Sequence, residues 1–157
     1  MNRYAALLCL CSLGACVAPG ERSGLATRYR PMAYTGGYSD KLVEPGVWKV
    51  DGASNGAAER GLGRAIAGYH AAEVVGAAGF KFMQIIDQKG SVRTITINGT
   101  GGGPAGESMT LWVRGADNPS PPTDCRATTP DGCYTINVTE LMAKLRPQIP
   151  LPVGAGQ

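Results

Sequence analysis

The chain has 157 residues, 15 basic and 12 acidic side chains for a formal net charge of +3, and 23 glycines, 11 prolines and five cysteines. That length supports one modest hydrophobic core. So small a charge excess excludes a nucleic-acid footprint, and nothing beyond the N-terminus reaches the ~20 apolar residues of a membrane-crossing helix.

The chain opens with Arg3 as a short positive region and an uncharged run from Ala5 to Leu13, the length of a secretory signal core. The run ends in Leu13-Gly14-Ala15-Cys16, which resembles the lipobox of bacterial lipoproteins: an aliphatic residue, two small ones, then the cysteine whose thiol carries diacylglycerol. The resemblance implies cleavage before Cys16, loss of residues 1–15, and a membrane anchor of several acyl chains, palmitate among them. The alternative, ordinary cleavage with Cys16 incidental, fits poorly because Leu13 is not small. Val17 stands where an aspartate would signal inner-membrane retention, so by the same analogy the protein faces the periplasm from the outer membrane. Arg3 leaves with the signal, so 14 basic residues then face 12 acidic ones. Residues 16–36 read as the lipidated cysteine and a flexible tether of about 25 Å. Its Arg22, Arg28 and Arg30 are solvated linker residues or contacts to anionic lipid.

Residues 37–146 read as one α+β domain that opens at "GGYSDKL". "GVWKV" (46–50) is a strand, and "DGASNG" a turn in which Ser54 or Asn55 caps a helix over 57–78. Leu62, Ala65, Ile66, Tyr69 and Ala72 share one helix face, and Gly79 is its C-terminal cap. Strands follow at 80–87 and 91–97, with Gln88-Lys89-Gly90 as a hairpin turn. "NGTGGGPAG" is a loop, "ESMTLWVRG" a strand, "ADNPSPPTD" a Pro-rich excursion and "CYTINV" the last strand. A short helix from Thr139 through Leu141, Met142 and Leu145 stops at Pro147, and residues 147–157 form a loose tail. The order implies a two-layer sandwich: a small mixed sheet covered by one long helix, with a short C-terminal helix. A right-handed crossover makes strands 46–50 and 80–87 parallel.

Cys9 and Cys11 leave with the signal, and Cys16 carries lipid. Cys125 and Cys133 remain, an even pair in an oxidising setting across the turn Pro130-Asp131-Gly132, and read as a structural disulfide. Two cysteines are too few for a zinc site, and their spacing is not the redox C-x-x-C. Gly101, Gly103 and Gly106 match G-x-G-x-x-G, but a strand-like run follows instead of a helix. Glu107 stands where a phosphate loop needs lysine, so no nucleotide is expected. Asn98-Gly99-Thr100 and Asn137-Val138-Thr139 match glycosylation sequons and carry no meaning in a bacterial lipoprotein. His70 is the only histidine, and it sits three residues before Glu73, within reach on a helix. Glu73 falls in the apolar stripe, so it needs partners: either the Tyr38-Ser39 segment in a structural role, or a cleft in which it serves as an acid.

Gly37-Tyr38-Ser39-Asp40, Leu42, Ala71-Ala72-Glu73 and Gly79-Phe80-Lys81-Phe82, with the lipobox upstream and "AKLRPQI" near the end, resemble a family of small Gram-negative lipoproteins of unassigned function. This sequence departs from it in "VDGASNG" after the first strand and in His70, where arginine is frequent. The resemblance implies location and fold and no chemistry. The expected protein is a lipid-anchored, non-enzymatic envelope domain that binds a protein or cell-wall partner, without catalytic residues, cofactor or metal. The rivals are a small-ligand domain with a pocket beneath the Gly-rich loop, and an enzyme using Glu73 and His70.

Overall fold

In Glu44-Pro45-Gly46-Val47 the proline presets φ at the second turn position and Gly46 supplies φ 75° at the third. Those are the residues a tight type II turn requires. The turn joins β1 (Gly36–Glu44) to β2 (Val47–Asn55) as an antiparallel hairpin. The chain continues through α1 (Leu62–Ala77), β3 (Phe82–Thr96), β4 (Gly102–Ala116), β5 (Tyr134–Asn137), α2 (Val138–Leu145) and a single 3-10 turn, Arg146–Gln148. The computed structural model describes residues 26–96, 102–129 and 132–151. The signal region, Cys16, residues 17–25, the sequon at Asn98, Gly101, Pro130-Asp131 and residues 152–157 lie outside the described residues.

The fold is an α+β sandwich of one five-stranded sheet, in the order β1-β2-β4-β3-β5, with the helices on one face. Every pairing between neighbouring strands is antiparallel, where a mixed sheet was expected. β2 and β3 do run in the same direction, but β4 inserts between them and pairs with both. Each crossing is therefore antiparallel, and β4 is the central strand. Its period-2 pattern buries Met109, Leu111 and Val113 toward the helices.

α1 begins five residues later than its composition suggests. "DGASN" is the end of β2, paired with β4 throughout and with β1 as far as Ser54, and Gly52 is the reason the helix can lie there. A β-carbon on Gly52 would sit 2.4 Å from the Ala67 backbone nitrogen, so the helix backbone rests directly on the strand. Ser54 and Asn55 are thus strand residues and not caps. The helix ends as expected: the Gly79 N–H bonds Gly76 O at 2.9 Å and the Phe80 N–H bonds Val75 O at 3.3 Å, a Schellman arrangement with Gly79 at φ 91°.

The stripe of large residues on α1 does not face the sheet. Leu62, Ala65, Ile66 and Tyr69 pack against Tyr29 and Ile149 from the two ends of the domain. The sheet is met by Ala67, Ala71, Ala72 and Val75. Two boundaries move accordingly. Thr27 and Tyr29 are 2% and 8% exposed, so the tether ends near residue 26 and not at 36. Ile149 is 5% exposed and Pro150 O accepts from the Tyr29 N–H at 3.0 Å, so the tail folds in as far as residue 151.

β3 is one continuous strand. Gln88-Lys89-Gly90 pairs with Leu111, Thr110 and Met109 of β4, with an irregularity between Ile85 and Asp87, and no hairpin turn forms there. β4 is long enough to supply partners throughout, and Gln-Lys-Gly lacks the Asn-Gly or Asp-Gly pair that a two-residue turn favours. α2 starts at Val138, one residue before the expected Thr139. Asn137 is its cap and accepts from the Glu140 N–H at 3.2 Å, so the second sequon is a helix start.

Cys125 and Cys133 form a disulfide with Cα atoms 5.7 Å apart. It closes the end of the Pro-rich excursion. Arg114 clamps Asp124 with two bonds of 2.7 and 2.6 Å, and Gln84 Nε2 donates to Ser120 O at 2.9 Å. The Arg126 N–H reaches Ile86 O, at the β3 irregularity, at 2.8 Å. Replacing both cysteines with serine should lower stability by about 2–3 kcal/mol, because the short loop gains freedom in the unfolded chain. Guanidinium denaturation measures this, and an unmoved midpoint would contradict it.

Candidate functional site

Alternate residues of β1 turn toward α1, which brings Tyr38 and Asp40 against His70. The Tyr38 ring stacks on the imidazole with centroids 3.9 Å apart and planes 24° apart. Asp40 Oδ1 lies 2.7 Å from His70 Nε2. On the other side, His70 Nδ1 is 3.0 Å from the Tyr29 oxygen and 3.4 Å from Glu73 Oε2. The Tyr29 hydroxyl donates to Glu73 Oε2. Every contact is matched when both ring nitrogens carry hydrogen: Nε2–H to Asp40, Nδ1–H to the Tyr29 oxygen, and Tyr29 O–H to Glu73.

The expected contact between His70 and Glu73 is therefore present. Glu73 takes its partners from Tyr29 and His70 and not from the expected Tyr38-Ser39 segment, whose Tyr38 stacks on His70 instead. Tyr29 is the residue that sequence reasoning missed, because it lay in what read as a tether. Its signal was the alternation of Thr27 and Tyr29, both buried, with Arg28 and Arg30, both exposed.

Burial pushes the Tyr29 hydroxyl well above the ordinary tyrosine value, and the bond to Glu73 pushes it further the same way. It is held as a neutral donor. The Asp40 and Glu73 carboxylates sit against different nitrogens of one ring. Among the described residues no three histidine, cysteine, aspartate or glutamate side chains converge to hold a metal.

A second locus lies where the β3–β4 ribbon outruns the sheet. β2 stops pairing at Asn55 with Gly106, while β3 and β4 continue to Thr96 with Gly102. Under this ribbon is a cleft of about 770 Å³, lined by Ser54, Glu59, Arg60, Val92, Thr94 and Glu107 among others. Gly103 and Gly106 lie within β4, with strand on both sides. Glu107 Oε1 accepts from the Gly63 and Arg64 N–H groups at 2.7 and 3.3 Å, and Oε2 from Gly61 N–H at 3.0 Å. The carboxylate that stands in for a phosphate-loop lysine thus occupies the α1 N-terminus, where an anionic ligand would sit. Gly61 offers no side-chain cap, and Glu107 from β4 replaces it.

The site and fold define a small antiparallel α+β domain with a tyrosine–histidine–carboxylate clasp and a ribbon-end cleft. Compared with known proteins, the chain matches no protein family, no curated protein and no solved structure.

Tyr29→Phe should cost about 1 kcal/mol at neutral pH, the net worth of the lost hydroxyl bond. The folded-state value lies above the 10.0 of a free tyrosine, so the unfolded chain releases this proton first. The hydroxyl's contribution is complete below pH 10 and is lost as pH rises further. The gap between wild type and Tyr29→Phe should shrink above pH 10 by up to about 1.4 kcal/mol per pH unit. Urea denaturation across pH 8–11 measures it, and a gap that widens would contradict the geometry.

Proposed function

We propose that the protein is an exported, non-enzymatic binding domain held at the envelope surface by lipid on Cys16, probing for a protein or cell-wall partner. The observation that carries this is the Cys125–Cys133 disulfide. Such crosslinks persist in oxidising compartments, which agrees with the signal-like residues 1–15 and the lipobox-like Leu13-Gly14-Ala15-Cys16. Among the described residues no helix is long and apolar enough to cross a membrane.

Packing that begins at Thr27 shortens the leash. Ten residues lie between Cys16 and Thr27, a span of about 38 Å at full stretch and roughly 18 Å as a flexible coil. A lipid on Cys16 would keep the domain close to the head groups, on the side where Arg28 and Arg30 are exposed. The sheet face turned away from the helices offers a surface for a partner. Trp112 lies there beneath Lys49 and Lys89, whose ammonium groups are 5.9 and 5.2 Å from its ring centroid.

His70 and Glu73 support the non-enzymatic reading. Both His70 nitrogens and Glu73 Oε2 are engaged within the clasp by Tyr29 and Asp40, and neither residue lines any of the four clefts described in this structure. A second reading, small-ligand binding beneath the Gly-rich ribbon, is favoured by one observation, the cleft of about 770 Å³.

The anchor is tested by intact mass spectrometry of membrane-extracted protein beside a Cys16→Ala variant. The wild type should begin at Cys16 with added acyl mass, and the variant should carry none. A cleaved wild type without lipid would overturn the proposal.

A further inference from the structure

The two helices do not cover the sheet evenly. α1 lies over β2 and β4, and α2 packs beside it on the β5 side. Small residues set that contact: a β-carbon on Gly68 would lie 3.1 Å from Leu145 Cδ1, and one on Gly76 3.1 Å from Val138 Cγ1. α2 has eight residues, about 12 Å of helix, against the fifteen residues of β3. It is too short to close the space over the strand.

What remains is a crevice of about 450 Å³ between α1, α2 and the sheet, within the range of about 300–1,000 Å³ in which small-molecule sites fall. Its floor is Met83, Ile85, Met109 and Leu111, none more than 6% exposed, and Leu141 and Leu145 of α2 form one wall. Two methionines in the floor let it adapt to a flexible chain. Arg64 and Lys144 line the same crevice from the two helices. No acidic side chain is among its described lining residues, and neither cation makes an ion pair among the described residues. Tyr134 is also at the crevice; burial pushes its hydroxyl up, and the charge of Arg64 opposes that.

We propose that this crevice binds a single-chain amphiphilic anion, with the acyl chain on the Met83–Leu111 floor and the head group between Arg64 and Lys144. An apolar, water-sheltered floor recognises a hydrocarbon chain through burial alone. Two cations without an ion pair or a lining carboxylate among the described residues select the charge of its head. A fatty acid and a lysophospholipid share this chemistry. The site is separate from the ribbon-end cleft and does not depend on the Cys16 anchor.

The test uses the exported full chain carrying Cys16→Ala, purified without detergent, so that neither an anchor lipid nor a surfactant competes. Calorimetric titration with dodecanoate should show saturable one-to-one binding, and dodecyltrimethylammonium should bind at least about tenfold more weakly. Arg64→Glu with Lys144→Glu should weaken dodecanoate by about tenfold or more. Leu141→Trp, which fills the crevice, should abolish binding, and thermal melting of each variant confirms that it is folded. Dodecanoyl lysophosphatidylglycerol in a parallel titration identifies the source of the chain, and saturable binding of either anion supports the proposal. Absence of saturable binding by both anions, equal affinity for the cation, or folded variants that bind like the parent would each overturn it. Because the protein tested lacks the anchor, such a failure leaves the reading of Cys16 untouched.

Discussion

The side of α1 that faces away from the sheet depends on one side chain, Tyr29. Its ring packs edge-on to Tyr69, with centroids 5.3 Å apart, and tilts against Tyr38 at 4.6 Å. Its hydroxyl reaches both His70 and Glu73, and its backbone N–H ties to the C-terminal segment at Pro150. One residue thus joins the entering chain, β1, α1 and the exit of the domain. Without it, Leu62, Ile66 and Tyr69 would keep only part of their cover, chiefly Ile149 and its neighbours.

That double burial explains how a helix with Gly63, Gly68 and Gly76 in its sequence is stable. Glycine weakens a helix by roughly 1 kcal/mol at each interior position, so tertiary contact must hold it. Here each glycine marks a close approach: Gly63 lies under Glu107, Gly68 against Leu145, and Gly76 against Val138. The same economy of side chains has a consequence at the α2 end. Helices drawn close by glycine, over strands longer than they are, leave the crevice between Arg64 and Lys144. Past the α1 N-terminus, the β3–β4 ribbon projects beyond Glu107 and leaves the second cleft. Both openings follow from mismatched element lengths, and neither touches the clasp.

Local signals were legible where one short segment decides the outcome. Gly79 after α1, the alternation of Met109, Leu111 and Val113, and the spacing of His70 and Glu73 each carry their own physics. The pairing of Cys125 with Cys133 was legible from their position across a short turn. What stayed hidden depends on distant partners. Gln88-Lys89-Gly90 is strand only because β4 runs alongside it. The sheet-facing stripe of α1 is alanine and valine, so a wheel weighted by large side chains points to the opposite face. The insertion of β4 between β2 and β3 leaves no local mark, and it turns an expected parallel neighbour into two antiparallel ones. Tyr29 reaches His70 across 41 residues and Glu73 across 44, from a segment whose prolines, arginines and glycines read as linker.

The claim that most else rests on is that residues 27–35 belong to the fold. Amide hydrogen exchange of the intact protein tests it most directly. The amides of Tyr29, Met32 and Tyr38 bond to Pro150, Tyr38 and Arg30 respectively, so the account predicts slow exchange at all three, lost together under mild denaturant. Exchange at these amides as fast as in an unstructured peptide, with β2 and β4 still protected, would contradict it and return the segment to the tether.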